Sequence, residues 1–131
     1  MAVTLNINLK NTLLDGLDTV FNSGTLDIRT GSPPGAGAPA TGTVLASITL
    51  PADAFLPASG GTKAKNGTWQ DLSANATGTA GYFRLLNVGG SEVLEGTVSL
   101  TGGGGDMQLD NTSIAVGQQI TVTAFTLSSS N

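Results

Sequence analysis

The chain has no cysteine and no histidine among its 131 residues. Without cysteine it has no disulfide, no thiolate metal ligand and no nucleophilic thiol. Without histidine, the common nucleophile–base pairs and most transition-metal sites lose their usual side chain. Charge is scarce too, at 11% of residues, against about 25% in an ordinary soluble domain. The net charge of −4 opposes direct nucleic-acid binding, which needs clustered basic residues to displace counterions. Lys10, Arg29, Lys63, Lys65 and Arg84 are scattered, and only the two at 63 and 65 lie close together. No run approaches the roughly 20 apolar residues of a membrane-spanning helix. The start, Met1 to Asn6, has neither the basic opening nor the apolar stretch of a signal peptide. Synthesis in a cytoplasm, with no membrane partner, is therefore expected.

Large side chains are also few: 4 Phe, 1 Tyr and 1 Trp beside 19 Gly. The length suits one domain, read as 1–131. Each ordered glycine gives up more backbone freedom than any other residue, so a lean, glycine-rich core gains from burying surface against copies of itself or a partner. Oligomerisation is expected. Abundant Thr, Ser and Asn suit a surface that packs on protein. The Asn-x-Ser/Thr sequences at Asn66, Asn75 and Asn111 are read as chance in a Thr-rich chain.

Residues 3 to 9 alternate, with Val3, Leu5, Ile7 and Leu9 on one side and Thr4, Asn6 and Asn8 on the other, which predicts a half-buried strand. Leu13, Leu14, Leu17, Val20 and Phe21 then fall on one helical face. Asn11 or Thr12 would cap the start and Gly24 would end it. The strand and short helix occupy 3–22, a β core 24–127, and a fraying tail 128–131. Strands are predicted at 25–30, 45–50, 79–88, 92–100 and 119–127, with weaker ones near 68–73 and 107–109. Glycine turns punctuate them at roughly the spacing of an antiparallel sandwich or barrel, jelly-roll-like in class. The proline-rich segment 31–39 cannot be a central strand and is read as a long surface loop. Residues 51–66 form a second irregular stretch.

Each motif also has an ordinary structural explanation. Two carboxylates flanking a cleft would serve a glycosidase, but Glu92 and Glu95, three apart on a predicted strand, project to opposite faces. No catalytic residue is assigned, and the chain is read as a non-enzyme. Thr101 to Leu109 resembles one calcium nonapeptide, with Thr101 and Gln108 at discordant positions. Asp106 and Asp110 remain a candidate weak cation site, set against a flexible hairpin turn as the preferred reading. No cofactor or metal is assigned. Trp69 and Tyr82 would offer a sugar-stacking platform if exposed, though a lone Trp more often anchors a core or an interface. Arg84 is expected to pair with Glu95 across a hairpin.

Three segments carry a resemblance: 81–85 (Gly-Tyr-Phe-Arg-Leu), 94–98 (Leu-Glu-Gly-Thr-Val) and 107–118 (Met-Gln-Leu-Asp-Asn-Thr-Ser-Ile-Ala-Val-Gly-Gln), with 23–31 extending it over most of the chain. They resemble the head decoration, or cement, proteins of tailed bacteriophages. The resemblance implies a non-catalytic virion protein on the outer capsid, bound to the major capsid protein and often trimeric where capsomers meet. A phage tail component and a carbohydrate-binding β-sandwich module are the alternatives. The expected partner-facing surface comprises the N-terminal strand, the Ser32 to Ala40 loop and the Pro51 to Lys65 stretch. Val3, Leu5, Pro33, Pro34, Pro39, Phe55 and Leu56 are its candidate contacts, because prolines pre-restrict a loop and lower the entropy lost on docking.

Overall fold

The computed structural model describes residues 3–129. They form a mainly β protein, 40% strand and 12% helix, in which one strongly curled mixed sheet makes a half-barrel. The elements run α1 (Ile7–Phe21), β1 (Thr25–Thr30), β2 (Val44–Thr49), β3 (Thr62–Ala64), β4 (Gln70–Asp71), β5 (Gly78–Leu86), β6 (Val93–Leu100), β7 (Met107–Leu109), β8 (Ser113–Ile114) and β9 (Ile120–Ser128). The sheet order is β2-β1-β5-β6-β7-β9-β3, with β4 attached to β9 and β8 to β5. This architecture agrees with the sandwich-or-barrel class expected from the sequence.

The N-terminal strand does not form. Residues 3–6 are irregular and the helix begins at Ile7, capped by the Asn6 side chain, which accepts from the Leu9 amide at 2.9 Å. Alternation at 3–9 masked a helical period, because Ile7, Leu14 and Phe21 recur every seven residues along one stripe. The helix ends with Ser23 at φ 63°, the one non-glycine residue in the left-handed region among the described residues. Gly24 follows, donating to the Phe21 carbonyl at 2.9 Å.

Alternation does place the core strands. Leu26 and Ile28 of β1 lie opposite Leu85 and Phe83 of β5, and all four are buried. At the centre, Trp69 meets Phe55 edge-on at 5.5 Å and Phe125 at 5.8 Å, while Phe125 meets Phe83 edge-on at 5.3 Å. Edge-to-face rings set positive rims on negative faces and add to area burial. Four of the few aromatic residues are thus concentrated in one cluster.

One pairing departs from the antiparallel expectation: β6 and β7 run parallel, Val98 opposite Met107. A parallel connection usually needs a dozen or more residues. Here residues 101–106 suffice because the chain hooks back over β6. Gly103 donates to the Leu100 carbonyl at 2.8 Å and Gly105 to Ser99 Oγ at 2.9 Å. A Cβ on Gly105 would lie 2.7 Å from the Ser99 nitrogen and 2.8 Å from the Val98 carbonyl carbon. The glycine run is therefore a tight crossover, not the flexible hairpin turn expected. The tail is also shorter than expected: Ser128 belongs to β9, Ser129 donates to the Gly61 carbonyl at 3.0 Å, and residues 130–131 lie outside the described residues.

Candidate contact surface

The proline-rich loop between β1 and β2 is fastened to the outer face of the sheet. Arg84 and Glu95 stand opposite each other on β5 and β6, as expected, with Nε to Oε2 at 2.9 Å. Their side chains are only 7% and 6% exposed, because the loop lies over them. The second arm of the guanidinium, Nη2, donates to the Gly35 carbonyl at 2.9 Å and the Ala38 carbonyl at 2.6 Å. The Gly35 amide donates to Glu95 Oε1. Tyr82 adds a second clamp, since its hydroxyl donates to the Thr41 carbonyl and accepts from the Thr41 amide at 3.0 Å. A planar, always-charged guanidinium suits this fork of bonds. Pro33 and Pro34 are half-buried and Pro39 is exposed. The loop is thus a fixed platform. The Arg84–Glu95 contact, expected as a cross-strand pair, is thus also a buried one that holds the loop.

The stretch 51–65 is held by α1. Asn11, Asp15, Asp18 and Asn22 follow helical spacing and make one polar stripe. Asn11 Oδ1 accepts from the Gly61 amide at 2.9 Å, Asp15 Oδ1 from Ala58 at 2.8 Å, and Asn22 Oδ1 from Ala54 at 2.9 Å. Lys63 on β3, fully buried, reaches Asp15 at 2.6 Å and Asp18 at 3.0 Å. The Lys63 hydrogen bond, followed by the Ala58 amide, holds the Asp15 carboxyl below its ordinary value. Burial alone would lower the Lys63 ammonium, but the hydrogen bonds and charges of Asp15 and Asp18 outweigh it and hold that group above its ordinary value. The sequence carried this signal in four amide or acid side chains at helical spacing, yet the helix was read only for its apolar face.

The expected contacts separate accordingly. Val3 is 76% and Leu56 46% exposed, and Leu5 is half-buried. Phe55 is 1% exposed; its ring belongs to the aromatic core, so the expectation that it meets a partner is corrected. It followed from treating a whole irregular stretch as surface. An exposed apolar ridge lies on α1, where Leu9, expected in a strand, and Leu13, expected on the apolar helical face, are 45% and 58% exposed. Beside it, Leu17, Val20 and Phe21 face Val93 and Leu94 of β6 across a shallow depression. The signal was an apolar stripe on the side of the helix opposite its polar one.

Other candidate groups are already engaged. Asp106 Oδ2 accepts from the Thr97 amide at 2.9 Å, and Asp110 Oδ1 from the Thr121 amide at 3.0 Å. Among the described residues no three acidic side chains converge on one point. Trp69 and Tyr82 are both fully buried, so neither ring offers a stacking platform. No helix among the described residues is long and apolar enough to cross a membrane. Comparison of the chain with protein-family models, curated proteins and solved structures gives no match.

Proposed function

We propose that the chain is a non-catalytic virion protein that decorates the outside of a tailed-phage capsid, bound to the major capsid protein as a homo-oligomer, most simply a trimer. The observation that carries this reading is the pairing of an exposed apolar ridge on α1 with a proline loop clamped at Arg84 and Tyr82. A cementing protein needs shape that is fixed before it docks, because ordering a loop on contact weakens binding. It also needs many modest contacts, since repetition over a lattice supplies avidity. The resemblance of segments 23–31, 81–85, 94–98 and 107–118 to head decoration proteins selects the capsid as the lattice.

The test uses capsids stripped of their outer proteins. Addition of the chain is expected to restore sedimenting particles with bound protein and to raise the temperature at which they release DNA. A variant lacking residues 32–40, confirmed folded by circular dichroism, is expected to bind more weakly. Equal binding and equal heat protection by that variant would remove the loop from the contact. No binding by the intact chain would remove the capsid reading.

A further inference from the structure

The half-barrel has a slot in its wall one strand wide. Strand β7 lies between β6 and β9 over only three residues. Before it begins, Leu94 and Glu95 of β6 and Thr126 to Ser128 of β9 face each other across a cavity of about 390 Å³. Flanks that share one neighbour stand two strand spacings apart, about 9.5 Å, which is room for one more strand. Asp106 closes the upper end through its bond to Thr97. Leu94, Phe83, Phe125 and Leu127 line the slot along with polar Thr126 and Ser128.

Both edges carry backbone groups directed into the slot. The Asn87 amide bonds to the Glu92 carbonyl, so the even residues of β6 serve β5. The Thr97 amide points the other way, to Asp106. By alternation, the amides and carbonyls of Val93 and Glu95 face the slot. On β9, Phe125 accepts from Lys65 and Ser129 donates to Gly61, both on the β3 side. Thr126 and Ser128 therefore also face the slot. Among the described residues no strand fills it.

The chain also has an unused strand. Residues 3–6 alternate Val-Thr-Leu-Asn, take no regular structure and leave Val3 76% exposed. Four extended residues span about 13 Å, the length of the exposed β6 edge. Turned inward, Val3 and Leu5 would meet the apolar lining, with Thr4 and Asn6 outward beside Thr126. The segment is poorly placed to enter its own slot. The helix start is anchored at Gly61, with Ile7 Cδ1 3.7 Å from the Cβ position there, and Gly61 pairs with Ser129 on the far side of β9.

We propose that residues 3–6 of one copy enter the slot of a second copy as an added strand. Strand addition draws affinity from main-chain bonds and specificity from alternate side chains. Donation from each copy to the next is a head-to-tail contact, which closes into a ring when the rotation permits. This inference concerns the protein alone and holds whether or not its lattice is a capsid.

The test is the oligomeric state by light scattering, with cysteine pairs as a second readout. The intact protein is expected to be oligomeric at high concentration. Deletion of residues 2–5, which spares the Asn6 cap, is expected to give a monomer with an unchanged circular dichroism spectrum. The Val3→Asp/Leu5→Asp variant, which keeps the backbone, is expected to do the same. In a cysteine-free chain, a Thr4→Cys variant mixed with a Thr126→Cys variant is expected to yield a disulfide-linked heterodimer through those two positions. An intact protein that is monomeric at every concentration overturns the proposal, as does an oligomer that survives both variants. Closure of the Thr4→Cys/Thr126→Cys bridge within one chain likewise overturns it.

Discussion

Replacement of Glu95 by alanine strips the buried Arg84 guanidinium of its counter-charge and frees the Gly35 amide that Glu95 Oε1 accepts. Breaking a buried ion pair from one side costs about 3–5 kcal/mol, because the remaining charge stays desolvated without its partner. Against a total stability of about 5–15 kcal/mol for a domain, that is about a fifth of the fold or more. Arg84→Met should cost a similar amount by stranding the carboxylate. The double variant Arg84→Met/Glu95→Ala removes both charges and sacrifices only the three loop bonds, two at Gly35 and one at Ala38, at about 1 kcal/mol each. It should therefore be about 2 kcal/mol or more less destabilised than the sum of the single variants. Urea unfolding followed by fluorescence of Trp69, the only tryptophan and fully buried, measures all three. Elastase, which cleaves after small residues, should nick Ala36, Ala38 or Ala40 faster in each variant than in the parent protein. Single substitutions that cost under about 0.5 kcal/mol, or that add without coupling, would refute a load-sharing clamp beneath the loop.

The Lys63–Asp15 tie predicts a pH dependence at both extremes. Asp15 titrates below its unfolded value, so its stabilisation is present above the ordinary carboxylate range and is lost as pH falls through the lowered value; Asp15→Asn should flatten that acid limb of a thermal-melt series. Lys63 titrates above its unfolded value, so its contribution is intact below the ordinary lysine range and is lost only as pH rises through the raised value. Ser23→Gly should stabilise the protein by about 0.5–1 kcal/mol, because glycine takes the left-handed conformation without a steric cost; a loss in calorimetry would contradict this. Gly105→Ala places a methyl against the backbone of Val98 and Ser99 and should cost about 1–3 kcal/mol or more. Gly89→Ala, with open space around it, should be near neutral, and equal effects at the two positions would remove the steric account of the hook.

How much the sequence revealed depended on whether one periodicity had a single interpretation. Strands β1 and β7 fall where alternation and turns placed them, and β2, β5, β6 and β9 fall within a residue or two. Residues 3–9 failed because Val3, Leu5, Ile7 and Leu9 satisfy a strand pattern while Asn6 and the Ile7–Leu14–Phe21 stripe satisfy a helix, and tertiary packing on β3 decides. Strands β3 and β8, three and two residues long, are too short to show a period. The parallel step at β7 depends on glycines folding onto β6, a contact that composition suggests only as a turn. At the candidate surface, the prolines of the loop were legible but their clamp was not, since Arg84 and Glu95 lie far from residue 35 in sequence. Phe55 was misplaced for the converse reason: an irregular backbone can still deliver a ring to the core. The polar stripe of α1 required all faces of one helix to be considered together.

The most direct test of the decoration reading is a reconstruction, by electron cryomicroscopy, of tailed-phage particles to which the purified chain has been added. The account predicts density shaped as this curled sheet and single helix on the outer shell, in symmetric groups at capsomer junctions, with the α1 ridge or the 31–43 platform against the major capsid protein. Density confined to the tail, or an outer shell fully explained by other proteins, would contradict it.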